Sequence, residues 1–262
     1  MQDPTLGPTH GPVLRPARRD DAADLARLAD LAGEGLPRHL WSRLVEPGQS
    51  VWDVGAARAA RDSGAFSWTN AQIAELEGRV AGAMIVYPIA GTPGSVDDLP
   101  PLFRPLQELE NLVPGTTYIN ILATYPDFRG RGVATALVAG VAKGAGPAGL
   151  SLIVADGNLG ARAFYARLGF VEMARRALVR EDWATDSRAW ILLTRPAGPL
   201  ANPGAMGYMR ATSQARCGLS GETSPAVHRL GQGKPCSEIT PLRRKPERKR
   251  HGASRIFHAS AS

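Results

Sequence analysis

The spacing of apolar residues changes repeatedly along the chain, and each change predicts an element. Val13-Leu14-Arg15-Pro16 predicts a short strand, and Asp20 or Asp21 is placed to cap a helix whose leucines recur at Leu25, Leu28 and Leu31. Gly33 to Pro37 break that helix, and two further helical stretches are expected around Arg38 to Leu44 and Val51 to Arg61. The period then becomes that of strands. Ser67 to Leu76 and Val80 to Pro88 flank Glu77-Gly78, where glycine permits the positive φ of a tight turn, so an antiparallel hairpin is expected.

A Gly/Pro/Asp loop from Ala90 to Pro101 leads to a short helix opened by Pro105. Thr116 to Thr124 has the clearest strand composition, rich in β-branched residues. A Gly/Arg turn, a helix from Gly132 to Lys143, a buried-looking strand Leu150 to Ala155 and a helix Leu159 to Leu168 follow. Strand patterns at Phe170 to Val179 and Arg188 to Leu193 close the series. The class is α+β, with mixed α and β order. From Ala197 apolar periodicity stops, and the Pro, Gly, Ser and basic residues there are expected to be disordered, because they bury too little surface to offset ordering entropy.

That boundary alters the meaning of the charge. The 262 residues carry a formal +7, which invites a nucleic-acid reading. Eleven of the 31 Lys and Arg, but only three of the 24 acids, follow Pro196, so residues 197–262 hold +8 and residues 1–196 hold −1. Association with nucleic acid is therefore expected, if anywhere, only through Arg243 to Arg250 in the tail, whose plainer reading is a solvated charge run. The longest apolar run, Val80 to Ile89, falls short of the roughly 20 residues of a membrane span. Met1 to Pro12 lacks the apolar centre of a signal peptide, and a cytoplasmic location without membrane association is expected. Cys217 and Cys236 lie outside any CxxC spacing, and no metal site is expected.

Two segments carry chemistry. In Tyr125-Pro-Asp-Phe-Arg129-Gly-Arg-Gly-Val-Ala134, Gly130 and Gly132 leave the backbone uncovered just before a helix, so successive N–H groups and the helix dipole suit a pyrophosphate. Arg129 and Arg131 add charge or are solvated surface arginines. A P-loop would need GK[ST], which Val133-Ala134 does not supply, and a Rossmann turn would follow its strand directly. Glycine at a tightly packed helix start is the plain alternative. The second segment, Asn158 to Phe170, sets Ala161, Tyr165 and Leu168 at helical spacing, with Gly169 as terminator. Taken alone, Tyr165 reads as a core or boundary tyrosine.

Together these segments resemble the GCN5-related N-acetyltransferase (GNAT) superfamily. Its (Q/R)xxGx(G/A) motif is matched by Arg129, Gly132 and Ala134, and the Asn158…Phe164-Tyr165…Gly169-Phe170 segment follows at the expected distance. The resemblance spans residues 13 to 195 and implies a domain over 13–196. It further implies a central, mostly antiparallel twisted sheet with a splayed parallel strand pair and flanking helices. Acetyl-CoA would be the co-substrate, with no metal. Gly130, Arg131, Gly132, Val133 and Ala134 would bind its pyrophosphate beside Arg129. Leu122, Ala123 and Thr124 would pair with the pantetheine arm in the wedge between the splayed strands, and Asn158 would contact that arm.

Tyr165 would be the general acid that protonates the departing thiolate, and the N–H of Leu122 or Ala123 an oxyanion donor. The acceptor would be an amine on a small molecule or peptide, and the protein a monomer or homodimer. The base is left open among Glu110, water activated near Asn120, and no base. Glu110 sits at the edge of the stripe Leu106, Leu109, Val113, with Glu108 on the far face, and a solvated surface carboxylate is its plain reading. Trp41, Trp52, Trp68 and Tyr87 lie in the half that shapes the acceptor site in this family, and each reads first as core. A non-catalytic acyl-CoA sensor is the alternative function.

Overall fold

In the computed structural model, which describes residues 11–198 and residue 200, the chain opens with a strand, β1 (Val13–Pro16), tied to the first helix by charge. The Asp21 carboxylate accepts two hydrogen bonds from the Arg15 guanidinium, both 2.8 Å, and one from the Arg18 N–H at 2.6 Å. This starts α1 (Ala22–Ala32), which buries Leu25, Leu28 and Ala29. Leu31 was expected on that stripe but stands about a hundred degrees round the helix from it, at 40% exposure. α2 (Leu36–Ser42) starts inside the expected break, because Pro37 occupies its first turn, where proline is tolerated. Ser50 and Asp53 cap each other reciprocally to begin α3 (Val51–Ala59).

The hairpin is β2 (Ala71–Leu76) and β3 (Arg79–Pro88), joined by Glu77 and Gly78 with φ of 55° and 70°. Two left-handed residues match the right-handed twist of the strands, as a type I′ turn requires. The expected strand start at Ser67 is instead a 3-10 turn, Trp68–Asn70, where Ser67 Oγ accepts from the Thr69 N–H and so competes with the ladder. α4 (Arg104–Glu110), β4 (Thr117–Thr124), α5 (Val133–Gly144), β5 (Leu150–Ala155), α6 (Leu159–Arg167), β6 (Val171–Ala177) and β7 (Ala189–Arg195) complete the series in the anticipated order.

The seven strands lie in the order β1-β2-β3-β4-β5-β7-β6. Every neighbouring pair is antiparallel except β4 and β5, so the expected mixed class and mostly antiparallel sheet with one parallel pair are present. That parallel pair is short. Only Thr117 with Leu150 and Tyr118 with Ser151 are in register, beside a buried 2.7 Å hydrogen bond between the hydroxyls of Thr116 and Ser151. Beyond them the strands part.

A second irregularity sets which residues face the gap. Ile85 pairs with Ile121 and Val86 with Ile119, so Asn120 is one residue too many on β4. The extra residue reverses the alternation. Ile119 packs beneath α5 with Leu137 and Val138, whereas Ile121 and Ala123 join Leu25, Leu28 and Trp41 beneath α1. A third cluster gathers Tyr87, Leu106, Leu109, Tyr118, Trp183, Trp190 and Leu192 around α4. Thus α5 and α6 cover one face, and α1 to α4 the other. Among the described residues no helix is long and apolar enough to cross a membrane. The tail readings, Arg243 to Arg250 included, lie outside the described residues.

Candidate active site

Where β4 and β5 part, the backbone groups that would have bonded across the ladder are left without a strand partner. The N–H of Tyr125 donates to the Ala81 carbonyl, and by alternation Ala123 and Ile121 also turn their backbone groups to β3. Leu122 and Thr124 therefore turn theirs into the gap. A cavity of about 540 Å³ occupies it and passes through the sheet. On the α5–α6 side its wall contains Leu122, Arg129, Asn158, Ala161, Phe164 and Tyr165. On the other side it contains Glu34, Leu36, Leu106, Tyr118, Trp183 and Trp190.

The structure thus brings Leu122, Ala123, Thr124, Arg129, Asn158 and Tyr165 to one cavity. Gly130 to Ala134 continue from Arg129 into α5. Gly130 and Gly132 have φ of 74° and 81°, and a Cβ on either would meet nothing within 4 Å. Conformation, not tight packing, is what glycine supplies there. Among the described residues, no backbone hydrogen bond is donated by residues 130–135, so this run of N–H groups at the start of α5 is open to an anion. Arg131 turns aside, paired with Glu77 and 5.7 Å from the Phe128 ring centre.

Tyr165 is 7% exposed, its ring edge-on to Phe164 at 5.2 Å and Phe170 at 5.3 Å. Burial pushes its phenol well above the usual tyrosine value. Its hydroxyl makes no hydrogen bond among the described residues. The Asn158 side chain caps α6, accepting from the Ala161 N–H at 3.0 Å. Asn120 Nδ2 and Thr124 Oγ1 are buried without a hydrogen-bond partner among the described residues, and both residues line the cavity. The bulge removes Asn120 from the regular face that it was expected to share with Tyr118 and Leu122.

Glu110 is 3% exposed, not a surface carboxylate, and accepts from the Tyr87 hydroxyl at 3.3 Å. It is absent from the cavity wall and stands behind Tyr118, whose phenol is raised first by burial and then by the Glu110 charge. Glu108, on the far face of α4, pairs with Arg176 at 2.6 Å. Trp41, Trp52, Trp68 and Tyr87 do not line this cavity. Trp41 stacks on Phe66, and Trp52 lies under Arg27.

The aromatic wall comes instead from Trp183 and Trp190, stacked at 6.0 Å with planes 11° apart. Neither was singled out in the sequence: Trp183 sits in a short irregular stretch between β6 and β7, and Trp190 reads there as an ordinary residue of the last strand. Glu34 was also missed. It occupies a left-handed turn, φ 52°, followed by Gly35, the same Glu-Gly signal as Glu77-Gly78. Its residue is exposed, but packing around the carboxylate pushes its pKa up from the ordinary glutamate value.

Residues 34–170 match the family model described as "Acetyltransferase (GNAT) family", and the chain belongs to that family. Solved structures with a similar course include an N-acetyltransferase from Staphylococcus aureus Mu50, 21% identical, covering 69% of this chain and 98% of that one with a TM-score of 0.47. Another is a histone acetyltransferase HPA2-related protein from Corynebacterium glutamicum, 20% identical over 72% of this chain and 99% of the other, TM-score 0.45. Ard1 from Thermoplasma volcanium is 16% identical over 72% and 99%, TM-score 0.44. No curated protein matches the sequence. As a GNAT family member the chain is an acyltransferase of a family that uses acetyl-CoA as co-substrate.

Proposed function

We propose that the protein is an N-acetyltransferase that moves an acetyl group from acetyl-CoA to an amine by direct attack in a ternary complex. The observation that carries this reading is the cavity crossing the sheet at the splayed strands. Its lining runs from Arg129, next to the open N–H run of residues 130–135, to Glu34, Leu36 and Trp183 on the opposite face, where an acceptor would sit. The residues fit an amide-rich, anionic co-substrate: Leu122 and Thr124 offer backbone groups without a strand partner, Asn120 and Thr124 side-chain atoms without a partner among the described residues, and Arg129 a cation. Bound acetyl-CoA supplies the activated thioester carbonyl.

The chain's own part is then divided among named groups. The Leu122 N–H faces the gap and donates to the carbonyl oxygen as charge develops there, while Ala123 uses its N–H on β3. Tyr165, kept protonated by burial, holds the proton that the departing sulfur needs. Glu110, expected as the base, stands outside the cavity wall behind Tyr118, so in this reading it acts on the acceptor through the residues that line the wall. The test is direct: the purified protein should bind acetyl-CoA in calorimetry and release free thiol when supplied with a suitable amine. Absence of binding would end the reading, and binding without turnover across a broad amine panel would favour the sensor.

A further inference from the structure

Charge divides the cavity in a way that the co-substrate does not explain. Of the residues lining it, only Glu34 and Arg129 are charged. Arg129 stands in the turn before α5, on the face of Val133 and Leu137. Glu34 joins α1 to α2 on the opposite face, two residues before Leu36, which packs in one cluster with Leu106, Tyr118, Trp183 and Trp190. The acceptor side therefore has a single carboxylate at an exposed position and no cation, over walls of two parallel indoles, a phenol and aliphatic side chains.

Each feature selects against a class of amine. An amino acid or acidic peptide brings a carboxylate that would meet Glu34 without a counter-ion. A polyhydroxylated amine needs a polar partner for each hydroxyl, and the acceptor wall offers few: the Tyr118 hydroxyl and the Trp190 Nε1, which is buried without a hydrogen-bond partner among the described residues. A compact ammonium on a flat apolar body satisfies both, with charge facing Glu34 and ring or chain against Trp183 and Trp190. Resting on the acetyltransferase reading, we propose that the acceptor is a carboxylate-free primary amine with a flat apolar body, selected by Glu34 and the Trp183–Trp190 pair.

The position of the pair supports selectivity. Trp183 is carried by residues 178–188, and that segment is tied to α2 by Arg43, which binds Glu181 at 3.0 Å and also contacts Asp182, and by His39, 3.1 Å from Asp182. These contacts hold the wall against α2, so it discriminates by shape as well as charge.

The experiment compares three amines that share one benzyl body, using the full-length protein and thiol release: 2-phenylethylamine, phenylalaninamide and phenylalanine, with kanamycin as the hydroxylated case. Expected values of kcat/KM are at least about tenfold higher for 2-phenylethylamine than for phenylalanine, with phenylalaninamide closer to the first. Glu34→Gln should raise the KM for 2-phenylethylamine about tenfold, leaving kcat and calorimetric acetyl-CoA affinity within about twofold. Glu34→Arg should narrow or reverse the preference against phenylalanine. Preference for phenylalanine or kanamycin, no turnover of 2-phenylethylamine despite acetyl-CoA binding, or an unchanged KM in Glu34→Gln would overturn this inference and leave the acetyl-CoA site standing. Loss of acetyl-CoA binding in the unsubstituted protein would remove both.

Discussion

The Tyr165 ring is gripped by Phe164 and Phe170, while its hydroxyl at the cavity wall makes no hydrogen bond among the described residues. Burial raises its pKa, so the phenol stays protonated as pH rises and cannot set an alkaline limit near neutrality. Tyr165→Phe keeps the ring contacts and removes the proton. Turnover measured by thiol release should fall about 10²- to 10⁴-fold, while acetyl-CoA affinity by calorimetry changes little; unchanged turnover would remove Tyr165 from the acid role. Gly132 separates two effects in the same way. Gly132→Ala meets open space but a left-handed φ, and should lower stability by about 1 kcal/mol in urea unfolding. Gly132→Asp adds a carboxylate among the open N–H groups and should abolish acetyl-CoA binding; retained affinity would remove the pyrophosphate from this turn.

At the scale of elements, the junction of β1 and α1 rests on Asp21. Arg15 first, then the Arg18 N–H, hold the Asp21 carboxyl below its ordinary pKa. A depressed pKa means that the stabilisation is complete above the unfolded value and disappears as pH falls through the folded one. Asp21→Asn should therefore cost about 2 kcal/mol in urea unfolding at pH 7, with the difference shrinking as pH drops below about 4. A constant difference across that range would locate the effect elsewhere. The Arg43 tie is of another kind. It is exposed, so Arg43→Ala should alter global stability by less than about 1 kcal/mol, yet raise acceptor KM by loosening the segment that carries Trp183.

The same scale shows what the chain made legible. Helices with leucine at helical spacing, the Glu77-Gly78 turn and the β-branched run of β4 depend on neighbours in sequence, and they were readable. Arg129, Asn158 and Tyr165 were readable because motif spacing fixes them on a turn and one helix. The bulge at Asn120 was not, since it arises only when β4 meets β3 and leaves no local mark. Glu34 and Trp183 lie in irregular segments whose relation to the cavity depends on packing over 100 or more positions. The burial of Glu110 had the same cause: Tyr87, whose hydroxyl donates to it, comes from a distant strand.

For the whole molecule, the three apolar clusters draw their buried members from residues 17 to 193. Removal of residues 201–262 should leave acetyl-CoA affinity unchanged, and a loss on deletion would assign the tail a part in the site. Acetyl-CoA at about a hundred times its Kd should add about 2.7 kcal/mol to stability, visible as a raised melting temperature. The +8 of residues 197–262 does not enter either expectation.

The short register between β4 and β5 has a mechanical meaning. Four strands on one side and three on the other share two strand-pair rungs and one hydroxyl bridge, at Thr116 to Tyr118, and otherwise meet through the apolar clusters that span them. A ligand lying along the gap would act as the missing rung between the two halves of the sheet. Hydrogen exchange should report this at single-residue resolution. The amides of Leu122 and Thr124 should exchange faster than that of Ala123 between them, and acetyl-CoA should slow the first two while leaving the third unaltered.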